Sequence, residues 1–217
     1  MQNKRKGADC YAALKLDMSK ACDRVEWEFL RLMLYKLGFQ QDWVDKLMNM
    51  VTTIKYRFRV NGELTEEIVP QRGLRQGDPI SSFLFLICAE AFSCLLNAAE
   101  ERGETIGVRV SQEAPSINHL LFADDSLLLF KIVDGSAEHL QNVLSLYEDC
   151  SGQTINKDKS PVMFSRNTRD EVKSVLMNDL EISAEARSDK YLGLPVSMGK
   201  SKVQTFNYLK ERVWNKI

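Results

Sequence analysis

The composition of the 217-residue chain excludes several classes of protein. Hydrophobic residues make up 44% of the sequence and charged residues 27%, which is typical of a globular domain rather than a disordered or fibrous chain. The chain is long enough to bury a full core as one domain. Its formal net charge of −1 argues against a free-standing nucleic-acid binder, because neutralising phosphates requires concentrated lysine and arginine.

Signals for zinc binding, membrane insertion and secretion are weak. The 5 cysteines form no Cys-x-x-Cys pair and there are 2 histidines, so a zinc site is disfavoured. Residues 83–96 are strongly apolar, but Glu90 interrupts them and we expect them to be too short to span a bilayer. The polar residues 1–9 do not form a signal peptide. We therefore expect an intracellular protein, nuclear or cytoplasmic, that is not secreted and binds no membrane.

The first third of the chain predicts a strand, two helices and a hairpin. The strand is largely apolar and ends in a carboxylate, Asp17. The first helix has apolar residues at helical spacing and closes at Gly38, and Asn61-Gly62 is a strong hairpin signal. The apolar residues of the first helix are Val25, Phe29, Leu32, Met33 and Leu37. We expect the strand at residues 11–17, the helices at 25–37 and 41–51, and the hairpin strands at 54–60 and 63–69.

A glycine-bracketed loop precedes the longest predicted helix. Gly73 and Gly77 flank the loop, and Asp78 followed by Pro79 is a typical N-cap and first-turn pair. The helix is apolar nearly all round, so we expect it to be buried. The remaining predicted elements are strands at 106–110, 117–123, 127–131 and 162–164, an extended piece at 191–194, and helices at 79–102, 136–150, 169–177 and 202–217.

Two adjacent carboxylates, Asp124 and Asp125, interrupt the apolar run at residues 119–130. A buried carboxylate without a partner is costly, so the pair requires a cation, a proton or a turn into solvent. Both side chains can serve one site only if the chain reverses there, as in a hairpin with the two acids at its tip. The alternative is ordinary turn chemistry, since aspartate is a favoured turn residue.

Asp17 and the Asp124-Asp125 pair sit at the ends of strands that can lie side by side in one sheet. Three carboxylates at such an edge can bind one or two Mg²⁺ ions, which accept oxygen ligands and keep places for water and phosphates. Two metals can clamp an in-line displacement at phosphorus. With the glycine loop as a place for close backbone approach, the combination indicates phosphoryl transfer on a nucleotide.

Five ordered blocks of this sequence resemble the reverse transcriptases of non-LTR (LINE-type) retrotransposons, particularly those of plants. The resemblance implies an α+β right-hand polymerase palm with an antiparallel sheet packed on helices. It also implies an RNA-directed DNA polymerase that uses two Mg²⁺ ions, with Mn²⁺ as a substitute, and whose partners are an RNA template, a DNA primer and dNTPs. The five blocks are residues 15–25, 72–81, 119–130, 151–160 and 191–195.

The resemblance also implies roles for individual residues. The metal ligands would be Asp17, Asp124 and Asp125, with Asp125 the less direct contact, and the backbone carbonyl of Met18. Lys159 is similar to the lysine proposed to protonate the leaving pyrophosphate. The residues that match the nucleotide- and template-binding positions are Cys22, Gly73, Arg75, Gln76, Gly77 and Asp78, and those that match the primer-side hairpin are Tyr191, Leu192 and Gly193.

This sequence departs from the family pattern in three ways, of which the mildest is Ser82, where the family usually carries a proline after Ser81. Cys22 stands where the family usually carries an aromatic ring that excludes a ribose 2′-hydroxyl. The resemblance further implies that the fingers are missing and the thumb is truncated, so we expect an incomplete fragment with little processive synthesis. We expect a disordered basic N-terminus at residues 1–10, the palm at 11–165, and the palm–thumb connection with the start of the thumb at 166–217.

A chain without catalytic activity would also accommodate these residues. Asp17 would then merely end a strand, Asp23 and Arg24 would form an ion pair at a helix start, and Lys159 would be solvated. Such a chain would be a retroelement remnant that at most binds nucleic acid. Among enzymes, a group II intron maturase has the same kind of palm, although the 72–81 and 191–195 blocks look more like the plant LINE type.

Overall fold

A four-stranded antiparallel sheet forms the centre of the protein. The computed structural model describes residues 9–186, 190–191, 194–195 and 202–215. The strand order in the sheet is β4-β5-β1-β6, so β1 is a central strand with a neighbour on each side. The bounds are β1 Tyr11–Asp17, β4 His119–Phe122, β5 Asp125–Lys131 and β6 Val162–Phe164, and two short hairpins lie outside this sheet, β2 Arg59–Val60 with β3 Glu63–Leu64 and β7 Lys190–Tyr191 with β8 Leu194–Pro195.

Helices cover one face of this sheet. Alternate residues of β1, among them Leu14 and Leu16, point into the core, as the two-residue period of a strand requires. The opposite face of the sheet carries Lys15 and Asp17 on β1 and Asp125 on β5. This arrangement confirms the expected α+β palm. The helices are α1 Trp27–Lys36, α2 Gln41–Thr52, α3 Pro79–Glu101, α4 Ser136–Ser151, α5 Asp170–Asp179 and α6 Lys202–Trp214.

Among the described residues, the interior consists of two apolar clusters that α3 joins. The larger cluster lies between the sheet, the C-terminal half of α3, α4 and α5, and Phe92 stacks there on Tyr147 with ring centroids 4.7 Å apart. The second cluster packs α1 and α2 against the N-terminal half of α3 through residues such as Leu30, Val44 and Leu84. Because α3 contributes to both clusters, it fixes the glycine loop before it relative to the sheet.

The helix α3 corrects two expectations. It starts as predicted, because Asp78 caps it and its Oδ1 accepts a hydrogen bond from the Ile80 amide at 3.0 Å. It is not buried all round, since Phe83 is 67% exposed and Leu86 57% exposed. At 23 residues α3 is also long and apolar enough to cross a membrane by length and composition, so the apolar stretch is not too short. A core helix of a soluble protein passes the same test, and α3 supplies residues to both core clusters.

Smaller differences concern the exact ends and faces of elements. Leu32 of α1 is 55% exposed, and Leu30 and Leu34 are the buried leucines of that helix. The expected strand at 106–110 is reduced to a single bridge between Val108 and Ile117. The hairpin at Asn61-Gly62 is confirmed, but its strands are two residues each instead of the expected 54–60 and 63–69, with one further bridge between Tyr56 and Ile68.

Candidate active site

The carboxylates of two neighbouring strands meet at one end of the sheet. In the antiparallel register of β1 and β5, Asp17 lies directly opposite Asp125. Residues paired in this way point to the same face and have Cβ atoms about 4.5 to 5.5 Å apart. Both aspartates are partly exposed, so water and small ligands can reach them. Asp17 and Asp125 therefore lie together at one sheet edge, while the approach of Asp124 to Asp17 stays a prediction.

The turn that carries Asp124 differs by one residue from the prediction. The tip of the β4–β5 hairpin is Ala123-Asp124, and Asp125 is the first residue of β5, paired with Phe122. Ala123 has a φ of +51°, a left-handed conformation that L-residues other than glycine rarely adopt. Such strained residues persist where the surrounding structure forces them, and they concentrate at functional sites. The strain places Asp124 at the exposed tip, one residue from Asp125.

A cation already lies beside the carboxylate pair. Lys15 shares the open face of β1 with Asp17, and its Nζ is 3.8 Å from Asp125 Oδ1. Both side chains are partly exposed, so this ion pair adds little to stability. It shows that positive charge is accommodated next to Asp125.

The residues present fit a magnesium site that the substrate helps to complete. Within the described ranges, no group of three or more Asp, Glu, His or Cys side chains is arranged to hold a metal ion by itself. Mg²⁺ usually takes one or two protein carboxylates and completes its octahedron with waters and substrate phosphates. Asp17 and Asp125 can supply those carboxylates. No described residue donates a hydrogen bond to the Met18 carbonyl next to Asp17, which leaves that oxygen available as a further ligand.

The segment at 151–160 holds the end of β1 in place. The Asn156 amide donates to the Asp17 carbonyl at 2.8 Å, and the Asp17 amide donates to Ser160 Oγ at 3.0 Å. Lys159 follows in a short 3₁₀ turn at Lys157–Lys159, where its amide donates to the Asn156 side chain. The exposed Lys159 lines the same cavity as Asp17. This proximity is what its predicted role requires.

The glycine loop is joined to the segment after β1 by backbone hydrogen bonds. The Gly73 amide donates to the Val25 carbonyl and the Leu74 amide donates to the Cys22 carbonyl, both at 2.8 Å. Trp27 Nε1 donates to the Gly73 carbonyl at 2.8 Å. Gly73 has a φ of +90°, and a Cβ there would lie 2.6 Å from the Asp23 carbonyl oxygen. Only glycine fits this close approach.

Side chains of the same loop approach the segment after β1. Gln76 Nε2 donates to Asp23 Oδ1 at 3.2 Å, while Arg75 and Gly77 are exposed. Asp78, a predicted nucleotide- or template-binding residue, caps α3, which gives it a structural role. A direct contact of these loop residues with nucleotide or template stays a prediction.

Cys22 lies near the acidic turn. Burial raises the pKa of its thiol, and the negative charges of Asp23 and Asp124 raise this pKa further. A raised pKa keeps Cys22 a neutral thiol at pH 7, so it can line a substrate site but is a poor nucleophile there.

A polar cavity of about 520 Å³ opens next to Asp17. Its size is in the usual range for small-ligand sites. Sequence reasoning predicted Lys159 here but assigned no site role to the other basic residues, because Lys20 and Arg24 are far from Arg72 in the chain and no local motif connects them. The charged residues that line it are Asp17, Lys20, Asp23, Arg24, Arg72 and Lys159.

Comparison with known families decides the classification of this fold and site. A family model described as reverse transcriptase (RNA-dependent DNA polymerase) matches residues 1–196. The chain belongs to the reverse transcriptase family. This membership confirms the family resemblance of the five sequence blocks.

Several curated proteins are similar to this reverse transcriptase chain. The uncharacterized mitochondrial protein AtMg01250 of Arabidopsis thaliana is 52% identical over 69 residues, which cover 32% of this chain and 57% of that protein. The transposon TX1 149 kDa protein of Xenopus laevis is 30% identical over 95% of this chain and 15% of its own length. The Pol polyprotein of the R2DM element of Drosophila melanogaster is 29% identical over 85% of this chain and 17% of its own length. The matched part of the chain thus spans between about a seventh and three fifths of the length of these relatives.

Solved structures of telomerase share the fold of this reverse transcriptase chain. The telomerase of Candida tropicalis in complex with telomeric RNA matches 97% of this chain and 34% of its own, with a TM-score of 0.59 at 12% identity. The telomerase of Candida albicans matches 93% of this chain and 34% of its own, with a TM-score of 0.57 at 16% identity. At this identity the likeness shows the fold alone, and it agrees with the polymerase palm.

Two predicted residues of the reverse transcriptase site fall outside what the structure describes. Tyr191 lies in β7, which pairs with β8 as the predicted primer-side hairpin requires. Leu192 and Gly193, between these strands, lie outside the described residues, as do residues 1–8 of the predicted basic N-terminus. Arg24, the alternative ion-pair partner of Asp23, donates instead through Nη1 to Thr154 Oγ1.

Proposed function

We propose that this chain carries the polymerase centre of an RNA-directed DNA polymerase, which transfers a nucleotidyl group from a dNTP to a primer 3′-OH on an RNA template. Membership of the reverse transcriptase family supports the reaction class. The single observation that carries the proposal is the register that sets Asp17 opposite Asp125, with Asp124 in the adjoining turn. Carboxylates grouped at one sheet end, beside a polar cavity, suit metal-assisted phosphoryl transfer.

The carboxylates would hold the metals and position the reacting groups. Asp17, Asp124 and Asp125, with the Met18 carbonyl, would hold two Mg²⁺ ions, with Mn²⁺ as a substitute. When bound, the metals would neutralise charge on the phosphates and favour ionisation of the primer hydroxyl. Asp17 and Asp125 orient the reacting groups from rigid strands, because their backbones are held by the sheet ladder. That all three aspartates share the metals is part of this proposal.

Lys159 and the glycine loop would complete the site. Lys159 lines the cavity that Asp17 also lines, and there it would donate a proton from Nζ to the leaving pyrophosphate. The loop at 73–78 would lie along the nucleotide and template, with Gln76 and Arg75 as its polar contacts. An RNA template and a DNA primer would occupy the open face of the sheet, which the described helices leave uncovered.

Single-nucleotide addition tests this proposal without requiring processive synthesis. The purified chain is mixed with a DNA primer annealed to RNA, one matching dNTP and Mg²⁺, and the extended primer is quantified. We expect extension by the native chain and background levels for Asp17→Asn and Asp124→Asn, which keep the shape of the side chain but remove its charge. Asp149→Asn changes an exposed carboxylate of α4 and serves as the matched control. Binding of the primed RNA without any extension, or extension that survives Asp17→Asn, would contradict the proposal.

A further inference from the structure

The polar cavity beside Asp17 carries more positive than negative charge. Lys20, Arg24, Arg72 and Lys159 line it, against the carboxylates of Asp17 and Asp23. One of these carboxylates, Asp23, already accepts a hydrogen bond from Gln76. We infer that Arg24 and Arg72 bind the triphosphate of the incoming nucleotide, an inference that rests on the proposed nucleotidyl transfer at Asp17.

The two arginines reach the cavity from different elements and are anchored there by different partners. Arg24, in the turn after β1, donates through Nη1 to Thr154 Oγ1, and this contact ties it to the segment that also holds Asp17. Arg72 precedes the glycine loop, and its Nη1 lies 3.2 Å from Glu26 Oε1. A guanidinium has five N–H donors in a planar fork, and each of these contacts uses one of them. The remaining N–H groups of each guanidinium can donate to an anion.

Arginine forks suit a phosphate chain better than other anions. Guanidinium pairs with phosphate oxygens in a bidentate manner, and two forks that line one cavity can bind successive phosphates. Arg24 and Arg72 come from segments that meet only in the fold, through the Gly73-to-Val25 hydrogen bond. The grip is therefore preorganised by the backbone contacts that join the glycine loop to the segment after β1.

The neighbours of the arginines identify the anion as the tail of a nucleotide. Asp17, at one side of the cavity, would bind the metal at the reacting phosphorus, and Lys159 would meet the pyrophosphate as it leaves. The β- and γ-phosphates must lie between these two groups. Lys20 has a φ of +51° at the same cavity, a conformation seen where function constrains the backbone.

Binding of inorganic tripolyphosphate tests this inference without metal or catalysis. The affinity is measured by calorimetry on the whole chain in the presence of EDTA. Arg72→Gln should weaken binding about 10- to 100-fold, the range expected for losing a charge-assisted contact. Arg24→Lys keeps the charge but loses the fork and should give a smaller loss. Arg102→Gln is the matched control, since Arg102 is similarly exposed and ion-paired to Glu104 but does not line the cavity.

Equal affinity for tripolyphosphate in the native chain and Arg72→Gln would overturn the inference. An equal loss of affinity in Arg102→Gln would also overturn it, because it would indicate unspecific charge attraction.

A second readout uses primer extension, where Arg72→Gln should raise the KM for dNTP about tenfold or more and change kcat less. If Arg72→Gln leaves the KM for dNTP unchanged but weakens binding of the primed RNA, Arg72 contacts the nucleic acid and not the triphosphate. That result would also overturn the inference. If tripolyphosphate binds as expected but no nucleotide is added, the proposed reaction fails and the anion site stands.

Discussion

At the scale of single residues, the candidate site depends on backbone conformations that few side chains tolerate. Ala123 holds a left-handed φ of +51° at the tip of the acidic hairpin, and Gly73 holds a φ of +90° where the glycine loop meets Asp23. Between them in the site is the Cys22 thiol, whose pKa is raised by burial and by the charges of Asp23, next to the glycine loop, and Asp124, next to Ala123. Local strain of this kind is retained only where the surrounding contacts enforce it.

Replacing Gly73 measures how tightly the loop is joined to the segment after β1. Gly73→Ala should lower the free energy of unfolding by about 1–3 kcal/mol for the clash with the Asp23 carbonyl and by a further 1–2 kcal/mol or so for the positive φ. Gly38→Ala is the control, because Gly38 has a φ of +86° and no atom lies within 4 Å of the place that its Cβ would take. Urea unfolding of both variants gives the difference. Equal losses would show that the close approach at Gly73 does not matter.

Cys22 yields a prediction about sugar selectivity. A thiol occupies less space than the aromatic ring usual in the family, so ribonucleotides should be excluded poorly by this chain. Cys22→Phe should raise the ratio of deoxyribonucleotide to ribonucleotide addition about tenfold or more, the scale of a steric distinction in a pocket. The ratio is measured by single-nucleotide addition, and Cys22→Ala, which adds no ring, should leave it low. An unchanged ratio in Cys22→Phe would dispose of this role.

At the scale of elements, α3 connects the core to the site and keeps one face in solvent. Its capping by Asp78 begins the helix directly after the glycine loop, and its length carries it across both apolar clusters. The apolar run and the Asp78-Pro79 pair predicted the helix and its start correctly. The sequence could not predict which face of α3 is exposed, because apolar residues lie nearly all round the helix. Which face is buried depends on where the sheet and α1 pack against it.

Substitutions at two neighbouring positions of α3 distinguish the buried face of this helix from its exposed face. Leu84 is 2% exposed in the cluster with α1 and α2, so Leu84→Ala should cost about 2–5 kcal/mol of unfolding free energy. Phe83, which is 67% exposed, should change it by about 0.5 kcal/mol or less when replaced by alanine. Chemical denaturation of the two variants supplies both numbers. A large loss for Phe83→Ala would mean that this face is covered by contacts absent from the described fold.

At the scale of the whole molecule, sequence patterns predicted the strands and their convergence but not the cavity. Alternation and strand-end carboxylates were enough to predict that Asp17 lies beside the strand end at Asp124, whereas in the structure Asp125 is the residue directly opposite Asp17. The hairpin tip was wrong by one residue, because Ala123 accepts a positive φ that propensity assigns to glycine. Arg24 and Arg72 could not be associated from the sequence, because only the contacts between the glycine loop and the turn after β1 bring them together.

A shared metal centre at this end of the sheet can be tested by locating the metal on the chain. Fe²⁺ bound in place of Mg²⁺ generates hydroxyl radicals under ascorbate and peroxide, and these cut the backbone beside the metal. We predict two cleavage positions, one near Asp17 and one near Ala123-Asp124, both suppressed by excess Mg²⁺ and both lost in Asp17→Asn. Cleavage at only one of the two segments, or cleavage that persists in Asp17→Asn, would contradict the shared centre.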